Sequence, residues 1–312
     1  MKTISRRQFL RKNILGMTVF FFPPVWTEFS SPKRPFRRLV ILYSYGLRSN
    51  PDLNLVPQGE DKRIRLLAAR ARWVDRIRAE GHPVIYIDGG DLISPDLETD
   101  FLNHTPELLF LKEIKCDAII PGEFELALGI DRWEKIAAEN KFFWLACNYL
   151  IYSSPLQDYV KPFMVLNRSG IRIGIIGVGM EGRSIIATED EAKIEFMHPL
   201  HSLNNAATQL KRRGCELVIC FLHGINDFSK GSIKEIMGTK EIQNIDLVIG
   251  CHGNNSFQTP RLYTNKFGKN TLYTQLLGQE NYLGRIDLFL PEKGGNKTLS
   301  FNEIITVKKN AE

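Results

Sequence analysis

After a basic start and one short apolar run, two hydrophobic rhythms alternate along the chain. Short blocks of mostly apolar residues at 38–43, 83–88, 118–120 and 142–146 predict strands. Three further blocks, 172–178, 217–222 and 245–249, show little alternation, which predicts strands buried on both faces. Between the blocks, apolar residues at helical spacing predict helices over 60–80, 104–114, 131–140 and 203–213. The stretch from Asn270 to Ile305 reads as β-rich, with 284–290 a further strand. Strands alternating with helices predict an α/β body. Open α/β sheets bind ligands just beyond their strand ends, and several polar residues stand there. No internal repeat and no long linker interrupts the pattern.

The first residues follow a different rule. Arg6-Arg7-Gln8-Phe9-Leu10 precedes an apolar run from Ile14 to Phe22. Paired arginines before a moderately apolar stretch resemble a twin-arginine export signal. The run is too short for the roughly 20 helical residues that cross a bilayer. Export through the twin-arginine machinery to the periplasm is the expectation, with membrane attachment only if the leader is uncleaved. The expected division is therefore residues 1–36 as leader and linker and 37–312 as one domain.

This leader also accounts for the charge. The chain has 41 Lys and Arg against 35 Asp and Glu, a formal net of +6. Residues 1–38 hold nine of the bases and one acid, which leaves the body slightly acidic. A basic face for nucleic acid is therefore not expected. The five cysteines, Cys116, Cys147, Cys215, Cys220 and Cys251, are odd in number and include no Cys-x-x-Cys, so they define no disulfide framework.

The candidate chemistry lies at the strand ends. Asp91 closes Asp88-Gly89-Gly90-Asp91, and Gly122-Glu123-Phe124-Glu125 follows the block at 118–120. His223 lies in Leu222-His223-Gly224, and His252 in Cys251-His252-Gly253-Asn254. Each histidine alone reads as a hydrogen-bonded structural residue as readily as a ligand. Asp88 is expected to brace its turn. Gly177-Val178-Gly179-Met180-Glu181-Gly182 fits the dinucleotide fingerprint, but the residues that follow are poor helix formers, which argues against that fold.

Taken in order, these motifs resemble the metallophosphoesterase domain of exported 5′-nucleotidases and UDP-sugar hydrolases, a family that includes sulfur-oxidation thiosulfohydrolases. Cys116-Asp117-Ala118-Ile119, Ala146-Cys147-Asn148, Gly170-Ile171-Arg172-Ile173-Gly174 and Tyr282-Leu283-Gly284-Arg285 agree with it as well, and the likeness spans about 37–292. It implies a metallophosphoesterase-type sandwich of two β-sheets flanked by helices. The C-terminal domain that grips the base in relatives hydrolysing nucleotides is expected to be absent.

The resemblance also exposes substitutions. The family's first motif, Asp-x-His, stands here as Gly46 and Arg48. Its Gly-Asp survives as Gly90-Asp91. Its Gly-Asn-His-Glu-Phe-Asp becomes Gly122-Glu123-Phe124-Glu125-Leu126-Ala127, which replaces the catalytic His by Phe124 and its Asp partner by Ala127. One ligand set is thereby lost. The other implies one divalent transition metal (Zn, Mn or Fe) held by Asp91, Glu123, His223 and His252, with Asn254 a weaker candidate. Arg48 could place a permanent cation near the lost metal, or be a solvated loop residue. Glu125 is a weak candidate acid or base, with a structural role equally open. Cys251 could supply a thiol or fill core space. The expectation is a pseudo-phosphoesterase that binds a metal, a small anionic ligand or a phosphate ester, with weak or no hydrolysis. The alternative is an active single-metal ester hydrolase.

Overall fold

The structure, a computed structural model, describes residues 36–47, 57–94, 105–224, 236, 240–251, 260–275, 282–291 and 298–306. The first half runs β1 (Phe36–Ser44), α1 (Pro57–Arg78), β2 (Val84–Asp88), α2 (Pro106–Glu113), β3 (Ala118–Ile119), α3 (Glu123–Ala127), α4 (Ile130–Asn140), β4 (Trp144–Leu145), β5 (Tyr149–Ile151) and β6 (Val160–Lys161). The second runs β7 (Phe163–Arg168), β8 (Ile171–Val178), β9 (Ile194–Phe196), α5 (Pro199–Arg212), β10 (Leu217–His223), β11 (Leu247–Cys251), β12 (Arg261–Thr264), β13 (Asn270–Gln275), β14 (Tyr282–Pro291) and β15 (Thr298–Thr306).

Two sheets form the centre. One is ordered β15-β14-β1-β2-β3-β4-β6, the other β12-β13-β11-β10-β8-β7. Strands β1, β2, β3, β4 and β6 run parallel, as do β8, β10, β11 and β13. Antiparallel strands flank both parallel cores.

The alternation of each strand explains the layers. In β1, Leu39, Ile41 and Tyr43 join one cluster with Ile173, Ile175, Ile219, Phe221 and Ile249 of the other sheet. Val40 and Leu42 point the opposite way, toward Val74 and Ile77 of α1 and Leu108 and Leu111 of α2. Strand β10 repeats the division. Ile219 and Phe221 face the partner sheet, while Val218, Cys220 and Leu222 meet Leu203, Ala207 and Leu210 of α5. Every residue of β10 is buried, which is why its sequence shows no alternation. The result is the expected sandwich, with helices outside both sheets.

Local chemistry adjusts several expected boundaries. α5 begins at Pro199, four residues ahead of the apolar signal, because a first-turn proline needs no backbone donor. Thr105 caps α2 by accepting the Leu108 amide at 3.4 Å. The block at 142–146 yields only the short strand β4. β11 extends to Cys251 and so carries the thiol into the sheet. β8 is followed by a loop and a 3-10 turn (Thr188–Lys193), not by the helix a dinucleotide site needs. Among the described residues, no helix is long and apolar enough to cross a membrane.

Candidate metal centre

Both sheets send the C-terminal ends of their parallel strands to one edge. β1 and β2 are in register through Ser44 and Asp88, and β10 and β11 through His223 and Cys251. Backbone bonds then fold the strand ends together. Gly89 N–H donates to Ser44 O at 2.7 Å, Gly46 N–H to Gly90 O at 2.9 Å and Ile120 N–H to Asp88 O at 2.9 Å. The turn at 89–91 demands unusual backbone. Gly90 has φ 88° and Asp91 φ 54°. A side chain on Gly90 would collide with the Ile120 carbonyl, so only glycine fits.

Asp88 braces this turn. Its Oδ1 accepts the Gly90 amide at 2.9 Å, and its Oδ2 accepts the Ser44 hydroxyl. Ser44 in turn accepts from the Tyr86 hydroxyl at 2.7 Å. Burial pushes the Asp88 carboxyl up to about 6, against the pull of those hydrogen bonds.

Asp91 and His223 come together where the sheets meet. Both are buried, and His223 Nε2 lies 3.7 Å from Asp91 Oδ2. The opposite ring nitrogen, Nδ1, is 2.6 Å from Gly89 O. A carbonyl only accepts, so Nδ1 carries a hydrogen and, in the neutral ring, Nε2 presents its lone pair toward the carboxylate. Gly122 makes the approach possible. A side chain there would strike His223 and the Asp91 carboxylate.

This donor chemistry fits a divalent cation. An imidazole whose far N–H is held by a backbone carbonyl is the usual metal-ligating arrangement. In the neutral ring, a lone pair facing a carboxylate also calls for positive charge between them. Among the described residues, no group of three or more His, Cys, Asp or Glu side chains is placed to hold an ion. The structure therefore supplies two donors, Asp91 and His223. It does not bring Glu123 into a three-ligand group with them; Glu123 opens α3 half-buried. His252, Asn254 and Arg48 lie outside the described residues.

Glu125 has a different task. Its buried carboxylate accepts the amides of Asp91 at 3.0 Å, Leu92 at 2.8 Å and Gly122 at 2.8 Å. It thus ties the Asp91 turn to the start of α3. Burial and the nearby Asp91 charge push its pKa up. These bonds make its carboxylate a brace of the local fold. Phe124, at the family's catalytic histidine position, is half-buried, and its amide donates to Asp91 Oδ1 at 3.2 Å. Ala127 is exposed.

The Cys251 thiol is buried in the core between the sheets, and burial pushes its pKa well above the usual thiol value. Its side chain fills space in the cluster between the sheets. All five cysteines are free.

Sequence reasoning passed over Tyr45. Its hydroxyl donates to Asp91 Oδ2 at 2.9 Å, and its ring packs edge-to-face on His223 at 5.3 Å. Its sequence signal is its place beside Gly46, just ahead of the motif that had lost its ligands.

No protein-family model matches the chain. A snake venom 5′-nucleotidase from Crotalus adamanteus is 21% identical over 263 residues, covering 79% of this chain and 44% of that protein. A 5′-nucleotidase from Vibrio cholerae is 23% identical over 275 residues, covering 79% and 49%. The chain spans about half the length of these curated relatives. Among solved structures, a Haemophilus influenzae NAD nucleotidase superposes with a TM-score of 0.69 at 15% identity, covering 86% of this chain and 50% of that one. Sequence relatives and fold together support a 5′-nucleotidase-like metallophosphoesterase family for this chain.

Proposed function

We propose that the protein is an exported, 5′-nucleotidase-like metallophosphoesterase that keeps one metal site and binds a metal or a small oxyanion with weak or no hydrolysis. The observation that carries this reading is the buried Asp91–His223 pair, with His223 Nδ1 held by the Gly89 carbonyl, beside Phe124 instead of a histidine. His252 would join the pair as a third ligand, with Glu123 and Asn254 as further candidates. A bound divalent ion would supply positive charge for a phosphate-like oxyanion. Phe124 has no proton to give, and a general acid or base typically contributes about 10²–10⁴-fold in rate.

The test is elemental analysis of protein purified without chelator. One equivalent of Zn, Mn or Fe per chain is expected, lost in His252→Ala. Two equivalents, or none, would overturn the reading. Export rests on Arg6-Arg7 and the apolar run that follows, and the names of the relatives, snake venom enzymes among them, agree with it. Replacing both arginines by lysine should hold the protein in the cytoplasm; undiminished periplasmic delivery would remove the twin-arginine route.

A further inference from the structure

Tyr45 touches both donors of the candidate centre and belongs to no motif that defines it. It is almost fully buried. Its hydroxyl holds Asp91 Oδ2 at 2.9 Å, while the Phe124 amide holds Oδ1 at 3.2 Å. The carboxylate is thus gripped at both oxygens, which fixes the rotation of its plane. Its ring lies 75° to the His223 imidazole with centroids 5.3 Å apart. That contact limits the tilt of a ring whose other side is fixed through Nδ1 to Gly89 O. Groups that orient metal ligands in this way sustain affinity without touching the ion.

We propose that Tyr45 is a positioning residue for the cation at Asp91 and His223: its hydroxyl sets the Asp91 carboxylate and its ring sets the His223 imidazole. The proposal rests on the single-metal reading given above. Tyr45 also differs in kind from the ligands, because its hydrogen is already committed to Asp91 and its effect passes through that residue.

Tyr45→Phe separates the two contacts, since it keeps the ring and removes only the hydroxyl. Calorimetric titration of the metal-stripped full-length chain with Zn²⁺ should show binding about 10- to 100-fold weaker in the variant. The thermal midpoint of the stripped protein serves as the control for a merely structural role. A similar midpoint with weakened Zn²⁺ binding supports the proposal. Equal Zn²⁺ affinity in parent and variant overturns it while leaving the metal reading intact. Absence of Zn²⁺ binding in the parent overturns both. A second measurement needs no variant. In the unsubstituted protein carrying carbon-labelled tyrosine, saturation with Zn²⁺ should shift a tyrosine ring-carbon resonance, because the carboxylate that accepts the Tyr45 hydroxyl then also serves the ion. A tyrosine spectrum unchanged at Zn²⁺ saturation overturns the proposal even if the Phe variant fails to fold.

Discussion

Asp91 holds a left-handed backbone at φ 54°, a conformation that non-glycine residues adopt at a cost. What holds it there is a set of hydrogen bonds from its neighbours. Glu125 accepts its amide, Asp88 fixes the preceding Gly90 amide, and Tyr45 and Phe124 hold its carboxylate. The turn therefore depends on carboxylates that must themselves be buried, and this has a pH signature. Burial raises the Asp88 pKa from the ordinary 3.8 to about 6. Between those values the folded protein keeps a proton that the unfolded chain has released. Stability contributed by this group is therefore highest below about pH 4 and falls as pH rises toward 6. Two pKa units correspond to about 3 kcal/mol. Asp88→Asn keeps an acceptor for Gly90 and has no charge to bury. Urea midpoints compared at pH 4.5 and 7 should show the variant losing less stability than the parent over that interval. An identical pH slope in both would show that Asp88 ionises without penalty. At the residue scale the sequence indicated Asp91, His223 and the bracing role of Asp88, because each sits in a short Gly-containing motif. It could not indicate Tyr45 or choose a role for Glu125, because hydrogen-bond partners 46 and 33 or 34 residues away leave no local pattern.

At the scale of elements, legibility follows burial. Strands β8 and β10 were readable because both of their faces meet apolar layers, which forces continuous apolar sequence. Helices α4 and α5 were readable from their amphipathic spacing, with Trp133, Ile136 and Ala137, and Leu203, Ala207 and Leu210, on the buried sides. β4 is the short remainder of the apolar block at 142–146, and β6, two residues long, falls below any periodic signal. So does α3, whose five residues exist because Glu125 reaches back to the Gly122 amide and closes the first turn. Glu125 is therefore the residue through which α3 and the Asp91 turn form one unit. The short helix that carries Glu123, Phe124 and Ala127 takes its position from a carboxylate.

The whole molecule is clipped at both ends of its two sheets. At one end Arg37 of β1 forms a two-armed pair with Glu216, at 3.0 and 2.7 Å, beside the start of β10. At the other, His223 of β10 reaches the Gly89 carbonyl beyond β2. The second clip contains one of the two described donors, so the scaffold of the centre is part of the scaffold of the fold. Of four positions where this chain departs from the 5′-nucleotidase motifs, Gly46 is buried and Arg48 lies outside the described residues. Phe124 is half-buried and Ala127 exposed, so His and Asp there need displace no core. Gly46 has φ 64°, which aspartate tolerates better than most residues. Gly46→Asp, Arg48→His, Phe124→His and Ala127→Asp introduced together are therefore expected to fold and to raise hydrolysis of a generic aryl phosphate with added Mn²⁺ or Zn²⁺. Single replacements should change little, since groups that act as a unit are strongly non-additive. The unsubstituted chain should turn over far more slowly than intact 5′-nucleotidases measured alongside it. Steady-state rates decide the matter. Robust hydrolysis by the unsubstituted chain, abolished in Asp91→Ala, would mean that one metal and no histidine acid suffice, and that the protein is a working single-metal hydrolase.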